Sequence, residues 1–382
     1  MKYVPVMPWV RSAGRNLVRD NVLYLGQSGT YVEFETSADE VEIVFVSDRT
    51  EGHPESLARA AVTVNGERRF SEKYQTETAV LCCDVRLGAG ETKIRAELGT
   101  PGEEKTVRVV KLSEDALGLL GIVSLEVPAD ESIVPTKKPA AKVEIIGDSI
   151  TCGFGNEGKI DVDVFTTATE NALDAYSVRL AEMLGMDYEL VSWSGIGVLS
   201  QYVPPQSAAP RHEILMGDYY LCQAARSEER INGEYPVWKK LSVFDKGLPA
   251  VNVSGKEQHD FSELPALIVI ALGSNDASYT ESDPQRTKVF YEAYSDFLDE
   301  VAERNPGVPI LCALGTVNPL LAGTERKAVA AASLRHTDRK MAFVELPQQE
   351  PVDLGVLSHP NKKTHCAIAA RLCEEARRLL YQ

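Results

Sequence analysis

The sequence predicts two domains of different class: an all-β sandwich or jelly roll over residues 1–134, and an α/β domain with a mostly parallel sheet over residues 142–382. Three observations carry this. Between about Tyr24 and Val127 apolar residues alternate with a period of two and are interrupted by turn residues. From Lys142 onward, short apolar runs that read as strands alternate with segments whose apolar residues recur every 3.6 positions. Between the two styles, residues 135–141 (Pro135-Thr136-Lys137-Lys138-Pro139-Ala140-Ala141) hold two prolines, two lysines and no periodicity, which marks a linker. A chain of 382 residues also exceeds what one ordinary core supports.

Composition narrows the function classes. With 40 Lys and Arg against 56 Asp and Glu, the formal net charge is -16, which argues against nucleic acid, whose phosphates need a basic face. No apolar run approaches the ~20 residues of a membrane helix, so no membrane partner is expected. The opening Met1-Lys2-Tyr3-Val4-Pro5 lacks the apolar core of a secretory signal. Seven cysteines without dense spacing, Cys82-Cys83 being adjacent, suggest neither zinc nor a disulfide framework. Free thiols in a reducing cytoplasm are the expectation.

In the first domain Tyr31-Val32-Glu33-Phe34-Glu35 alternates, and Val41 to Val46 reads as a strand buried on at least one face. Ala61-Val62-Thr63-Val64 runs into Asn65-Gly66, a strong hairpin signal. Ala79–Val85, Thr92–Leu98, Thr106–Leu112 and Gly121–Val127 complete about eight short strands, separated by turns such as Gly88-Ala89-Gly90.

In the second domain the strands are Val143–Ile146, Tyr188–Trp193, Leu267–Leu272, Ile310–Ala313 and Met341–Leu346. A helix is expected over Thr169–Gly185, ended by Gly185. Another runs over Asp283–Asn305, with Pro284 in its first turn, and a closing helix over Lys362–Leu380. The stretch from Ser200 to Gln258 is long, rich in Tyr and Pro, and not readable as elements.

Several strand ends carry chemistry. Hydrolysis of an ester by a serine needs a nucleophile, a base and donors for the oxyanion. Ser149 follows an apolar run that stops at Gly147-Asp148; Gly195 follows Ser194; Asn275 sits in Gly273-Ser274-Asn275-Asp276. In a parallel sheet these ends share the carboxyl edge, where open α/β folds bind ligands. His359 lies in Leu357-Ser358-His359-Pro360-Asn361, where Pro360 keeps it out of the closing helix and on a loop. His365, inside that helix, reads as a surface or packing residue.

Gly147-Asp148-Ser149-Ile150, Ser194-Gly195, Gly273-Ser274-Asn275-Asp276 and His359-Pro360-Asn361 resemble, in order, the four blocks of the SGNH-hydrolase superfamily. The preceding β-domain, with Gly153-Phe154-Gly155-Asn156, Thr169-Glu170-Asn171 and Trp193-Ser194-Gly195-Ile196-Gly197-Val198, is similar to carbohydrate esterase family two. The resemblance spans nearly the whole chain. It implies a jelly-roll domain ahead of a flavodoxin-like hydrolase domain, and removal of O-acetyl groups from plant hemicellulose of mannan or xylan type, with the 6-position of hexoses favoured. Ser149 would be the nucleophile and His359 the base; the N–H groups of Ser149 and Gly195 with the Asn275 amide would form the oxyanion hole. No metal or cofactor is implied. Many relatives carry an aspartate two or three residues before the histidine; here those positions are Leu357 and Val356. A Ser–His dyad follows, its ring held by a backbone carbonyl, with Asp353 at most a weak orienting acid. Trp193, Asp276 and Trp238 are the expected borders of the substrate cleft. Two other readings stay open: an esterase or transacetylase of this fold acting on another acyl ester (lipid, thioester or a different acetylated glycan), and a non-catalytic glycan-binding protein.

Overall fold

The computed structural model describes residues 1–6, 8–48, 56–68, 80–81, 84–234, 251 and 253–381. The chain divides into two units. One comprises Met1–Lys138, Thr166–Ala168 and Arg226–Leu241; the other comprises Pro139–Phe165, Thr169–Ala225 and Ser242–Gln382.

The first unit is a β-sandwich. One sheet runs Asn16–Arg19, Val22–Leu25, Leu120–Glu126, Glu40–Ser47, Gly90–Glu97, Val80–Leu81; the other runs Asp84–Leu87, Ala58–Val64, Lys105–Lys111, Tyr31–Thr36, Val134–Pro135. Both sheets contribute to one apolar core, Leu23, Ile43, Phe45 and Ile122 from the first and Phe34, Val62 and Val107 from the second. Period-two alternation is what a sheet with one buried face requires. Asn65-Gly66 closes a two-residue hairpin between Val64 and Glu67, with φ of 53° and 78°. Asp20-Asn21 does the same for Asn16–Arg19 and Val22–Leu25, with φ of 52° and 63°; that hairpin escaped the sequence reading because it lacks glycine. The single strand expected over Ala79–Val85 is two pieces in different sheets, Val80–Leu81 and Asp84–Leu87, with Cys82 and Cys83 outside the described residues. Val134–Pro135, at the start of the expected linker, pairs with Glu35 and Phe34 at the sheet edge. Glu33 lies between Arg11 and Arg108, at 2.6 and 2.7 Å, and both guanidiniums sit over the ring of Tyr31.

The second unit holds five parallel strands: β1 (Lys142–Gly147), β2 (Asp187–Ser192), β3 (Leu267–Ala271), β4 (Ile310–Leu314) and β5 (Met341–Glu345), in the spatial order β2-β1-β3-β4-β5. This is the flavodoxin-like order, whose switch point lies between β1 and β3. The helices are α1 (Ser149–Cys152), α2 (Tyr176–Leu184), α3 (Met216–Leu221), α4 (Asp276–Thr280), α5 (Pro284–Arg304), α6 (Ala322–Arg335) and α7 (Lys362–Tyr381). Asp283 caps α5 by accepting from the N–H groups of Gln285 and Arg286, with Pro284 in the first turn. The helix expected over Thr169–Gly185 is shorter. Asn171 accepts from Leu173 N–H and holds a 3₁₀ turn at Ala172–Asp174, so the α-helix begins only at Tyr176. His365 is fully buried and its Nδ1 accepts from the N–H of Tyr176, so it packs inside and caps α2. Helix α6 was missed altogether. Among the described residues no helix is long and apolar enough to cross a membrane.

Candidate active site

The buried strand β1 ends at Gly147, and Asp148 then caps α1: its Oδ1 accepts from Ile150 N–H at 3.0 Å. This places Ser149 at the first position of a four-residue helix that Gly153, in the left-handed region, terminates. Ser149 lines a cavity of about 410 Å³, within the range of small-ligand sites, together with Ser194, Gly195, Ser274, Asn275 and His359. The strand ends singled out in the sequence therefore meet at the β1/β3 switch point. Among the described residues neither Ser149 N–H nor Gly195 N–H donates to an acceptor.

Ser149 Oγ and His359 Nε2 lie 2.9 Å apart. On the far side of the ring, Nδ1 is 3.2 Å from the carbonyl of Val356 and 3.2 Å from that of Leu357. Carbonyls only accept, so Nδ1 carries the hydrogen and Nε2 presents a lone pair to the serine hydroxyl. Leu357 and Ser358 both adopt left-handed backbone, with φ of 52° and 62°, and this turn aims the two carbonyls at the ring. Non-glycine residues in that region cost about 1–2 kcal/mol each. The His loop docks on the loop after the nucleophile: Val356 N–H donates to Gly155 O at 3.0 Å, and Gly355 N–H donates to His359 O at 2.7 Å. A Cβ at Gly355 would collide with the Gly155 carbonyl, so only glycine permits this approach. Phe154 lies against the imidazole at 4.5 Å between centroids and is stacked on its other side by Phe165. Desolvation of the ring pushes the His359 pKa down to about 4, against the two carbonyls, which favour the proton.

Asn275 Nδ2 donates to Ile196 O at 2.8 Å and stands 3.3 Å from Asp148 Oδ2. Burial pushes the Asp148 pKa up to about 7; the Ile150 N–H opposes this and the charge of Asp276 adds to it. Asp276, expected at the cleft border, is fully buried instead. Its carboxylate accepts from the N–H groups of Val198, Leu199 and Ser200 at 3.2, 2.7 and 2.9 Å and so anchors the loop that follows Gly195. Burial raises its pKa to about 6 despite those donors. Trp193, also expected at the cleft, is 1% exposed and packs edge-on against Tyr219 of α3. Its strand-end position was legible, but the covering of α3 was not. Trp238 lies outside the described residues. Asp353 pairs with Lys363 at 2.6 Å, and the ring nitrogen it was considered for faces main-chain carbonyls. The cavity also takes Tyr202, Ser278, Val317, Asn318 and Leu357, none of which a single sequence distinguishes from other loop residues.

No family model matches the chain. Cellulase/esterase CelE of Acetivibrio thermocellus is 31% identical over 279 residues, which cover 71% of this chain and 29% of that protein. An acetylxylan esterase / glucomannan deacetylase of Cellvibrio japonicus is 22% identical over 284 residues, 72% of this chain and 68% of that protein. The match thus spans under a third of CelE. Among solved structures, an acetyl xylan esterase from the rumen bacterium Butyrivibrio proteoclasticus superimposes with a TM-score of 0.80 at 20% identity, covering 99% of this chain and 98% of that one. A family two carbohydrate esterase from Clostridium thermocellum in complex with cellohexaose gives 0.76 at 24%, covering 97% and 98%. The chain is thus similar in sequence to these esterases and has the fold of solved family two carbohydrate esterases.

Proposed function

We propose that the chain is a serine esterase that removes O-acetyl groups from acetylated hemicellulose oligosaccharides of mannan or xylan type, the 6-O position of hexoses being favoured. The observation that carries the reading is the 2.9 Å contact between Ser149 Oγ and His359 Nε2 in an open cavity, with Nδ1 held by main chain. His359 takes the hydroxyl proton as Ser149 Oγ attacks the acetyl carbonyl carbon. The resulting oxyanion faces the N–H groups of Ser149 and Gly195 and the amide of Asn275, whose Nδ2 exchanges its longer, 3.3 Å contact with Asp148 Oδ2 for the oxyanion while keeping Ile196 O. His359 returns the proton to the sugar oxygen, the carbon–oxygen bond breaks, and the acetyl group stays on Ser149. Water, deprotonated by His359, then attacks the acetyl-enzyme; acetate leaves and Ser149 recovers its proton. A dyad suffices here because Nδ1 is oriented by two carbonyls. The names of the curated relatives support the sugar-ester substrate class. We also read the β-sandwich as a jelly roll, and Cys312, Cys366 and Cys373, which form no disulfide among the described residues, as suited to a reducing, cytoplasmic setting.

Acetylated manno- and xylo-oligosaccharides followed by NMR test the activity: acetyl signals vanish with the wild type and persist with Ser149→Ala. Faster cleavage of octanoyl than of acetyl nitrophenyl esters would sink the acetylesterase reading. His359 must be neutral to act as base, so kcat/KM is expected to fall on the acid side near pH 4 rather than near the ordinary histidine value of 6.5.

A further inference from the structure

A carboxyl group that the mechanism does not use lies beneath the third strand end. Glu325, in the first turn of α6, is fully buried. Gly273, which opens the Gly273-Ser274-Asn275-Asp276 turn, has a φ of 111°, and a Cβ there would collide with Oε1 of Glu325. The carboxyl therefore fills the space a side chain at 273 would need. Neither of its oxygens makes a hydrogen bond of normal geometry among the described residues. The groups facing it are the hydroxyl of Tyr294 from α5, the thiol of Cys312 from β4, and the carboxyls of Asp276 and Asp148. None is a cation.

We propose that Glu325 is a positioning residue: its carboxyl, seated in the side-chain space of Gly273, fixes the turn that presents Asn275 to the cavity and Asp276 to the loop after Gly195. The proposal rests on the esterase reading above. The charge state follows from the surroundings. Burial, then the nearby charges of Asp276 and Asp148, drive the Glu325 pKa well above the carboxylate range, with Tyr294 opposing. The surroundings therefore favour the neutral acid over the anion. An anion there would repel Asp276, the acceptor for three N–H groups of the neighbouring loop.

The test is a pH series of kcat and KM on nitrophenyl acetate for the wild type, Glu325→Gln and Glu325→Ala, with thermal melts alongside. Glutamine reproduces the shape of the neutral acid, so Glu325→Gln is expected to keep kcat at pH 7 and to hold it to higher pH than the wild type. Glu325→Ala lowers kcat with KM unchanged, toward the about 10²–10³-fold that loss of an oxyanion donor costs. If Glu325→Ala fails to fold, the glutamine pH profile still decides. A glutamine variant as impaired as alanine at pH 7, or an alanine variant that melts earlier but keeps kcat and its pH profile, would overturn the proposal. A wild type without Ser149-dependent ester turnover would instead sink the esterase reading. Hydrogen exchange of the 272–277 amides, faster in Glu325→Ala than in Glu325→Gln, would then test the positioning by itself.

Discussion

Glu33 in one unit and three carboxyl groups in the other are buried in opposite ways. In the β-sandwich, Glu33 is clasped by Arg11 and Arg108 and accepts from Thr136. Burial alone would raise its pKa, but the charge of Arg108 and the hydrogen bonds from Arg11, Thr136 and Arg108 hold it below the usual carboxylate range. In the parallel-sheet unit Asp148, Asp276 and Glu325 are buried with no cation paired to them among the described residues, and the pKa values of all three are raised. One unit spends its buried charge on stability. The other accepts a desolvation cost, and there Asp148 and Asp276 hold main-chain N–H groups of α1 and of the 198–200 loop. Guanidinium neighbours stabilise an anion strongly, whereas the peptide donors around Asp148 and Asp276 favour the anion by less than burial disfavours it.

Breaking the clasp has the largest expected effect. Glu33→Ala leaves two guanidiniums without their carboxylate and should cost about 3–5 kcal/mol of sandwich stability in denaturant melts, while ester turnover of the folded protein is unchanged. The pH dependence sharpens the contrast. For Glu33, whose folded pKa is depressed, stability is present above the unfolded value of 4.5 and is lost as pH falls through the folded value. For Asp148, raised from 3.8 to about 7, the sign reverses: the wild type loses stability as pH rises across that window. Glu33→Gln should therefore look worse, relative to wild type, as pH rises toward 4.5, and Asp148→Asn should look better as pH rises from 4 to 7. Melts of the two variants across that range check both slopes; slopes of the same sign would dissolve the distinction. Asp353→Ala should matter least. Its exposed partner Lys363 makes the pair worth about 0–1 kcal/mol, and most esterase activity should survive. A variant as dead as Ser149→Ala would return Asp353 to the catalytic machinery.

How much of this was legible depended on the range of the forces involved. A parallel strand buried on both faces is a nearly continuous apolar run, so Leu267–Leu272, and Val143–Ile146 despite Glu144, could be read from local composition, as could the polar residues at their ends. Pro360 marked His359 as a loop residue for a reason confined to one peptide bond. By contrast, α6 is alanine-rich with apolar stripes too weak to see against its charged residues, although its alanines are good helix formers. Glu325 sits beside Arg326 and Lys327 and looks like a solvated face until the fold brings Gly273 over it. Trp193 and Asp276 were assigned to the cleft because they adjoin strand ends. Whether such a residue faces a cavity or the interior is decided by segments far away in sequence, here α3 and the 198–200 loop.

The left-handed pair at Leu357 and Ser358 has a consequence for how the surroundings of His359 can change over generations. A triad stores the orientation of its histidine in the identity of one side chain, and a single codon can erase it. Here the orientation is stored in torsion angles, and its acceptors are peptide oxygens that every amino acid carries. Residues 357 and 358 can thus differ in side chain so long as the turn persists, and Leu357, exposed at the cavity mouth, can be exchanged without moving the carbonyls that hold the imidazole.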